Sequence, residues 1–136
     1  MFEVFDHTAD LGLRVEAGNL SELFSEAARG LFAQLLHNPQ DVAPVCRRDY
    51  SLVATRCEDL LVDWLGELLY VFETEHLLFH QFDVQVRGTR LCGTAWGEPI
   101  DPQRHRFASE VKGVTYHGLA VEPCPQGWRA ELILDV

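Results

Sequence analysis

With 136 residues, 47% of them apolar and 24% charged, the chain has the size and make-up of one globular domain spanning 1–136. Its formal net charge of −10 repels a phosphate backbone, which disfavours direct, tight nucleic-acid binding and suits a divalent cation or a basic protein partner. No apolar run approaches the roughly 20 residues a bilayer crossing needs, and the start Met1–Asp6 lacks a secretion signal's basic and apolar regions, so a cytoplasmic location without a membrane partner is expected.

In chain order, Asp6-His7-Thr8-Ala9-Asp10 puts two carboxylates and an imidazole into five residues. Leu11–Ala17 then alternates apolar and polar residues, which predicts a strand. Asn19 stands three residues before Glu22, a capping-box spacing with Asn as the cap. The apolar positions from Leu20 to Leu36 recur at helical intervals and Asn38-Pro39 ends them, so an amphipathic helix fills this segment. Asp49–Thr55 reads as a strand. A second helix from Glu58 to Glu73 carries apolar residues over an arc of about 200°, wide enough to need cover on more than one side. Gly66 interrupts this helix at a cost of about 1 kcal/mol relative to Ala, which close packing would explain.

The remainder reads as β. Phe82–Val86 alternates, Arg87-Gly88-Thr89-Arg90 is a hairpin turn, and Leu91–Trp96 returns from it. Gly97–Pro102 is expected to be a loop, and Glu110–Val121 and Trp128–Leu134 two further strands joined by the turn at Pro123–Gly127. Strands that dominate after the second helix predict an α+β fold. The cysteines, Cys46, Cys57, Cys92 and Cys124, lie 11, 35 and 32 positions apart. That spacing contains no Cys-x-x-Cys pair and implies reduced, mostly buried thiols.

The chain ends on another acid, Leu134-Asp135-Val136. Acids near both ends make one cation site if folding brings the ends together. The alternative is that Asp10 caps a turn and Asp135 is a solvated chain end. His76 and His80 have one-face helical spacing without the glutamate of a metalloprotease motif, so zinc chemistry is not expected there. Glu98, Asp101 and His105 are expected to form a solvated loop. No Gly-rich phosphate loop or nucleophile elbow is present, which argues against autonomous catalysis.

Four segments together resemble the archease family over essentially the whole chain: Asp6–Gly12, Asp59–Tyr70, Val111–Gly118 and Asp135-Val136. The chain departs from the family at Gly66, where a polar helix former such as Asn is commoner. The resemblance implies a three-layer β/α/β domain with two main amphipathic helices packed between β layers. It also implies an accessory protein of an RtcB-type RNA ligase, which joins a cyclic-phosphate or 3′-phosphate RNA end to a 5′-hydroxyl end using GTP and Mn²⁺. Such a helper speeds guanylylation of the ligase and permits multiple turnovers in tRNA splicing or RNA repair. RNA and GTP are then met only through the ligase.

Carried over by position, the family's metal residues fall on Asp10, Asp135 and Val136, for Ca²⁺ first with Mg²⁺ or Mn²⁺ as alternatives. All three are hard cations that prefer oxygen ligands. Asp6 is placed to orient His7 or to stabilise the bend before Leu11, and a structural role is favoured for His7. Lys112 is the single lysine beside ten arginines, which hints that a compact ammonium is wanted there, near the metal end, to contact the ligase or a GTP phosphate. On an ideal strand Lys112 and Tyr116 share a face and His117 points away.

Overall fold

Two helices carry the core. The first, α1 (Leu20–Leu35), starts where Asn19 predicts it, with the Asn19 side chain accepting from the Glu22 N–H at 2.9 Å. Its buried stripe contains Leu23, Phe24, Ala27, Ala28, Leu31, Phe32 and Leu35. The second, α2 (Cys57–Glu75), has Glu58 and Asp59 in its first turn, where the helix dipole favours acids. It ends at His76, which adopts the left-handed conformation with φ 57°. Trp64, fully buried, donates its indole N–H to the Phe24 carbonyl at 3.1 Å and thereby ties α2 to α1.

The computed structural model describes residues 1–7 and 10–136, the side chains of Asp6 and His7 aside. Among the described residues the strands are β1 (Phe2–His7), β2 (Asp10–Ala17), β3 (Cys46–Val53), β4 (Leu77–Arg87), β5 (Arg90–Pro99), β6 (Gly113–Cys124) and β7 (Gly127–Asp135). They form a four-stranded sheet in the order β1-β2-β7-β6 and a three-stranded sheet in the order β3-β5-β4, each antiparallel. α1 lies between β2 and β4, and α2 between β6 and the three-stranded sheet. The architecture is therefore α+β in three layers, β/α/β, and both sheets face the same helical core. This sandwiching accounts for the wide apolar arc of α2, which has a sheet on either side.

The strands depart from the sequence expectations where regular alternation fails. β1 carries no predicted element. It pairs with β2 from Phe2↔Val15 to His7↔Asp10. β4 begins right after His76 with the buried run Leu77-Leu78-Phe79, and its register slips between Phe79 and Gln81. That bulge breaks the period of two, so only the stretch beyond it alternates cleanly. β5 continues through Gly97–Pro99, the first half of the expected Gly97–Pro102 loop. Gly97 is needed there because a Cβ would collide with the Leu78 backbone across the bulge. Three cysteines are half-buried and Cys92 is exposed, all as free thiols, so burial is less complete than expected.

Candidate functional site

The candidate site is built by strand register at one end of the four-stranded sheet. His7 of β1 stands opposite Asp10 of β2, and Asp135 of β7 opposite Gly113 of β6. β2 and β7 pair from Ala17↔Trp128 to Leu11↔Leu134. The observed pairing stops there, and the same register continued by one position would put Asp10 opposite Asp135.

Side-chain alternation decides which way this row points. Leu13, Val15, Leu132 and Leu134 are buried against the helices. Arg14 and Glu131, from the alternate set, are joined at 2.7 Å on the outer face, and Arg129 meets Glu16 there at 3.0 Å. Asp10 and Asp135 belong to that outward set. Unlike their neighbours, neither carboxylate has an ion-pair partner among the described residues. Val136 packs partly against the core, which anchors the end of β7. The register sets Asp6 opposite Leu11, while the side chains of Asp6 and His7 lie outside the described residues, so their expected roles do too.

Lys112 joins the same end through its backbone: its N–H donates to the Asp135 carbonyl at 2.7 Å. Its position is exposed and lines a depression with Gly66, Leu69, Tyr70 and Glu73 of α2. Lys112 and the two aspartates therefore share an end of the sheet but look out from different sides of it. Tyr116 is 58% exposed and lies on the α2 side. There its phenol adds slightly to the raised pKa of the Arg56 guanidinium, which is held up chiefly by its hydrogen bonds to Asp59.

The ideal-strand geometry expected around His117 does not apply. The register of β6 against β7 shifts between Thr115 and Ala120, so residues 116–119 bulge opposite Leu132 alone. Within the bulge the His117 N–H donates to the Thr115 hydroxyl at 3.2 Å, and Gly118 takes a positive φ of 66°.

The second polar cluster is a correction to the sequence reading. Glu98 and His105 are not in a solvated loop; both are buried, as is Asn38. Glu98 ends a β5 that runs farther than expected, and it accepts from the Ala43 N–H and, in bidentate fashion, from Arg104. The His105 Nδ1 accepts the Asp101 N–H at 2.8 Å, which leaves Nε2 as the donor toward Glu98 Oε2 at 3.2 Å. The Asn38 side chain donates to the Arg104 carbonyl and accepts from the Arg106 N–H, both at 2.9 Å. The Arg104 hydrogen bonds, outweighing the burial that opposes them, lower the Glu98 pKa to about 2. The network fastens the segment after β5 over the end of α1, where the N–H groups of Ala108 and Ser109 cap the Leu35 and Gln34 carbonyls. Sequence spacing shows the acids and the histidine but not their burial, which depends on the Asn38 and Ala43 loop brought from far upstream.

His76 and His80 do not share a helical face: His76 terminates α2 and His80 sits at the β4 bulge. Among the described residues, no group of three or more His, Cys, Asp or Glu side chains gathers as a metal cluster. No helix among them is long and apolar enough to cross a membrane.

Comparison with known proteins bears on the whole chain. The model of the archease protein family matches residues 2–136. The chain is similar to the protein archease of Sulfurisphaera tokodaii, at 37% identity over 137 residues covering 99% of this chain and 98% of that one. The protein archease of Pyrococcus abyssi is 35% identical over 140 residues, with 99% and 98% covered. The solution structure of protein 1598 from Methanobacterium thermoautotrophicum matches at a TM-score of 0.87 and 35% identity, covering 99% of this chain and 98% of its own. A crystal structure from Thermotoga maritima, described as an archease and possible chaperone, shares the fold at a TM-score of 0.67 and 17% identity, covering 100% of this chain and 98% of its own.

Proposed function

Because this chain belongs to the archease family, we propose that it is a metal-binding accessory protein of an RtcB-type RNA ligase. It promotes guanylylation and multiple turnover of the ligase in tRNA splicing or RNA repair. The observation that supports this reading is the sheet end where β2 and β7, paired up to Leu11↔Leu134, lead on to Asp10 and Asp135, and where the Lys112 N–H donates to the Asp135 carbonyl. Two carboxylates about 4 Å apart repel by roughly 4 kcal/mol at an effective dielectric near 20, and a dication converts that repulsion into attraction.

The donors present fit a hard cation. Asp10 and Asp135 offer carboxylate oxygens and Val136 a backbone oxygen, leaving further positions for water or the partner. Ca²⁺ is the first choice, with Mg²⁺ or Mn²⁺ as alternatives. When bound, the cation supplies positive charge beside a nucleotide-transfer site, the main electrostatic requirement of that chemistry. Lys112, looking out from the α2 side of the same end, is assigned to the ligase surface or a GTP phosphate. The net charge of −10 steers the protein to a basic enzyme rather than to RNA, so RNA and GTP are reached only through the ligase.

The test follows formation of the ligase–GMP adduct from purified ligase and GTP, with and without this protein and with and without chelator. The expected result is acceleration that is lost in Asp10→Ala and in Lys112→Ala, with chelator, which also strips the ligase's own Mn²⁺, serving as the zero-rate control. An adduct rate unchanged by the wild-type protein would overturn the reading. The description of the Thermotoga maritima protein as a possible chaperone favours a second reading, a general chaperone of nucleic-acid-modifying enzymes. Suppressed aggregation of unrelated enzymes with no effect on the adduct would select it.

A further inference from the structure

Gly66 lies in the interior of α2, where glycine costs about 1 kcal/mol relative to alanine. Helical glycines commonly offset that cost by letting another element approach the backbone. Here a Cβ at Gly66 would meet nothing within 4 Å, so this chain gains no packing from the missing side chain. The gap opens into a depression of about 220 Å³ shared with Tyr70, Glu73 and Lys112. Glu73 also borders a neighbouring groove of about 410 Å³ lined by Leu35, Phe72, Val111 and Phe107. The two adjoin at Glu73 and form one trough between α2 and the segment 107–114.

Exposed aromatic area flanks α2, and two of the three side chains, Tyr70 and Phe107, line this trough. Among the described residues, the Phe, Tyr and Trp side chains that are most open to solvent are Tyr70 at 62%, Tyr116 at 58% and Phe107 at 46%. All three flank α2: Tyr70 on the helix, Phe107 against Phe72 at its C-terminal end, and Tyr116 near Arg56 at its start. Exposed aromatics grouped on one face are the composition of protein–protein hot spots, and isolated chains rarely leave them together without use.

The charge of the walls identifies the occupant. Glu73 on the helix and Glu110 on the facing segment line the trough, and neither has an ion-pair partner among the described residues. Asp63 and Glu67 add two more exposed acids to the same helix. Such walls repel a phosphate or an acidic peptide and attract arginine or lysine. At its far end the trough reaches Lys112, and so the sheet end that carries Asp10 and Asp135.

We infer that the trough is the docking surface for a segment of the ligase that carries an apolar side chain flanked by arginine or lysine. The apolar group enters the space left at Gly66, beside Tyr70, and the cations meet Glu73 and Glu110 farther along, toward Phe107. This rests on the proposed ligase partnership and adds where, and through what chemistry, the two proteins touch.

The test pairs binding with stability. Gly66→Ala adds one methyl and leaves the trough open; Gly66→Gln puts a long side chain into its Gly66 end. Both replacements are better helix formers than glycine, so lost binding in either is not lost folding. Glu73→Lys with Glu110→Lys reverses the walls. Affinity for the purified ligase is measured by calorimetry at two salt concentrations, beside thermal unfolding of each variant and the adduct rate. The expected result is binding within about twofold of wild type for Gly66→Ala and at least about tenfold weaker for Gly66→Gln and for the reversed pair. The wild-type salt dependence is blunted in the reversed pair. If the wild-type chain accelerates adduct formation while Gly66→Gln and the reversed pair bind as tightly as wild type, the trough is not the contact and the ligase reading stands. If the wild-type chain neither binds nor accelerates the ligase, both fall.

Discussion

The buried network around Glu98 and the open sheet end around Asp10 use similar acids in opposite ways. At Glu98 the carboxylate is answered by a backbone N–H, a guanidinium and an imidazole, and His105 has a partner at each ring nitrogen. At the sheet end Asp10 is half-buried and Asp135 exposed, and neither has an ion-pair partner among the described residues. A polar network closed on itself uses its hydrogen-bonding capacity to hold the fold, and its members are inert toward anything outside. Unpaired acids held together by a rigid sheet are an electrostatic cost to the free chain that only a cation or a cationic partner removes. The difference separates a closed polar network from acids left open to a ligand, without reference to residue type.

That comparison breaks most visibly in the cation's effect on stability. Ca²⁺ at about a hundred times its dissociation constant is expected to stabilise the wild-type chain by roughly 2.7 kcal/mol. Calorimetric scans should show no such gain in Asp10→Asn, and an equal gain in both proteins would move the binding site elsewhere.

Next in size is the loss of Glu98. Glu98→Ala leaves Arg104 and the buried His105 without their acceptor and is expected to cost about 2 kcal/mol in urea unfolding, as for a buried hydrogen-bonding group left without its partner. Adduct stimulation per folded molecule is retained; a loss of stimulation at full folding would place the network in the functional surface.

A smaller, pH-dependent effect sharpens the contrast. Glu98 has a pKa of about 2 in the folded chain against an ordinary 4.5, lowered chiefly by its hydrogen bonds to Arg104. The stability it contributes is then complete above pH 4.5 and is lost as the pH falls toward 2. The deficit of Glu98→Gln relative to wild type should therefore shrink through that acid window and stay constant above it. A gap constant throughout the acid range would mean that the ionised carboxylate is not what the network holds.

The smallest expected change is a gain. Gly66→Ala, at a half-buried but uncrowded helix position, should raise stability by about 0.5 to 1 kcal/mol. A loss instead would mean that the helix backbone at Gly66 has a neighbour within the chain.

Much of the fold is legible locally. Asn19 and the stripe of α1, the apolar arc of α2, and the hairpin at Gly88 and Thr89, where Gly88 takes a φ of 60°, all rest on contacts within a few residues. The illegible parts share one cause. β1, the bulges at His80 and at residues 116–119, and the burial of Glu98 with His105 are set by partners distant in the chain, and a bulge erases the alternation that would reveal its own strand.

The same division runs through the candidate site. The acids near the two ends, the solitary Lys112 and the helix glycine are fixed by sequence, together with the α+β pattern of helices and strands. Only the tertiary structure decided that β7 lies between β2 and β6, so that Asp135 comes toward Asp10 on one side and to the Lys112 backbone on the other. It also decided that Lys112 looks out beside α2 rather than beside the aspartates. The physical reason is that strand order and register are chosen by burying Leu13, Val15, Leu132 and Leu134 together against the helices, and no local pattern specifies which distant strand meets that demand.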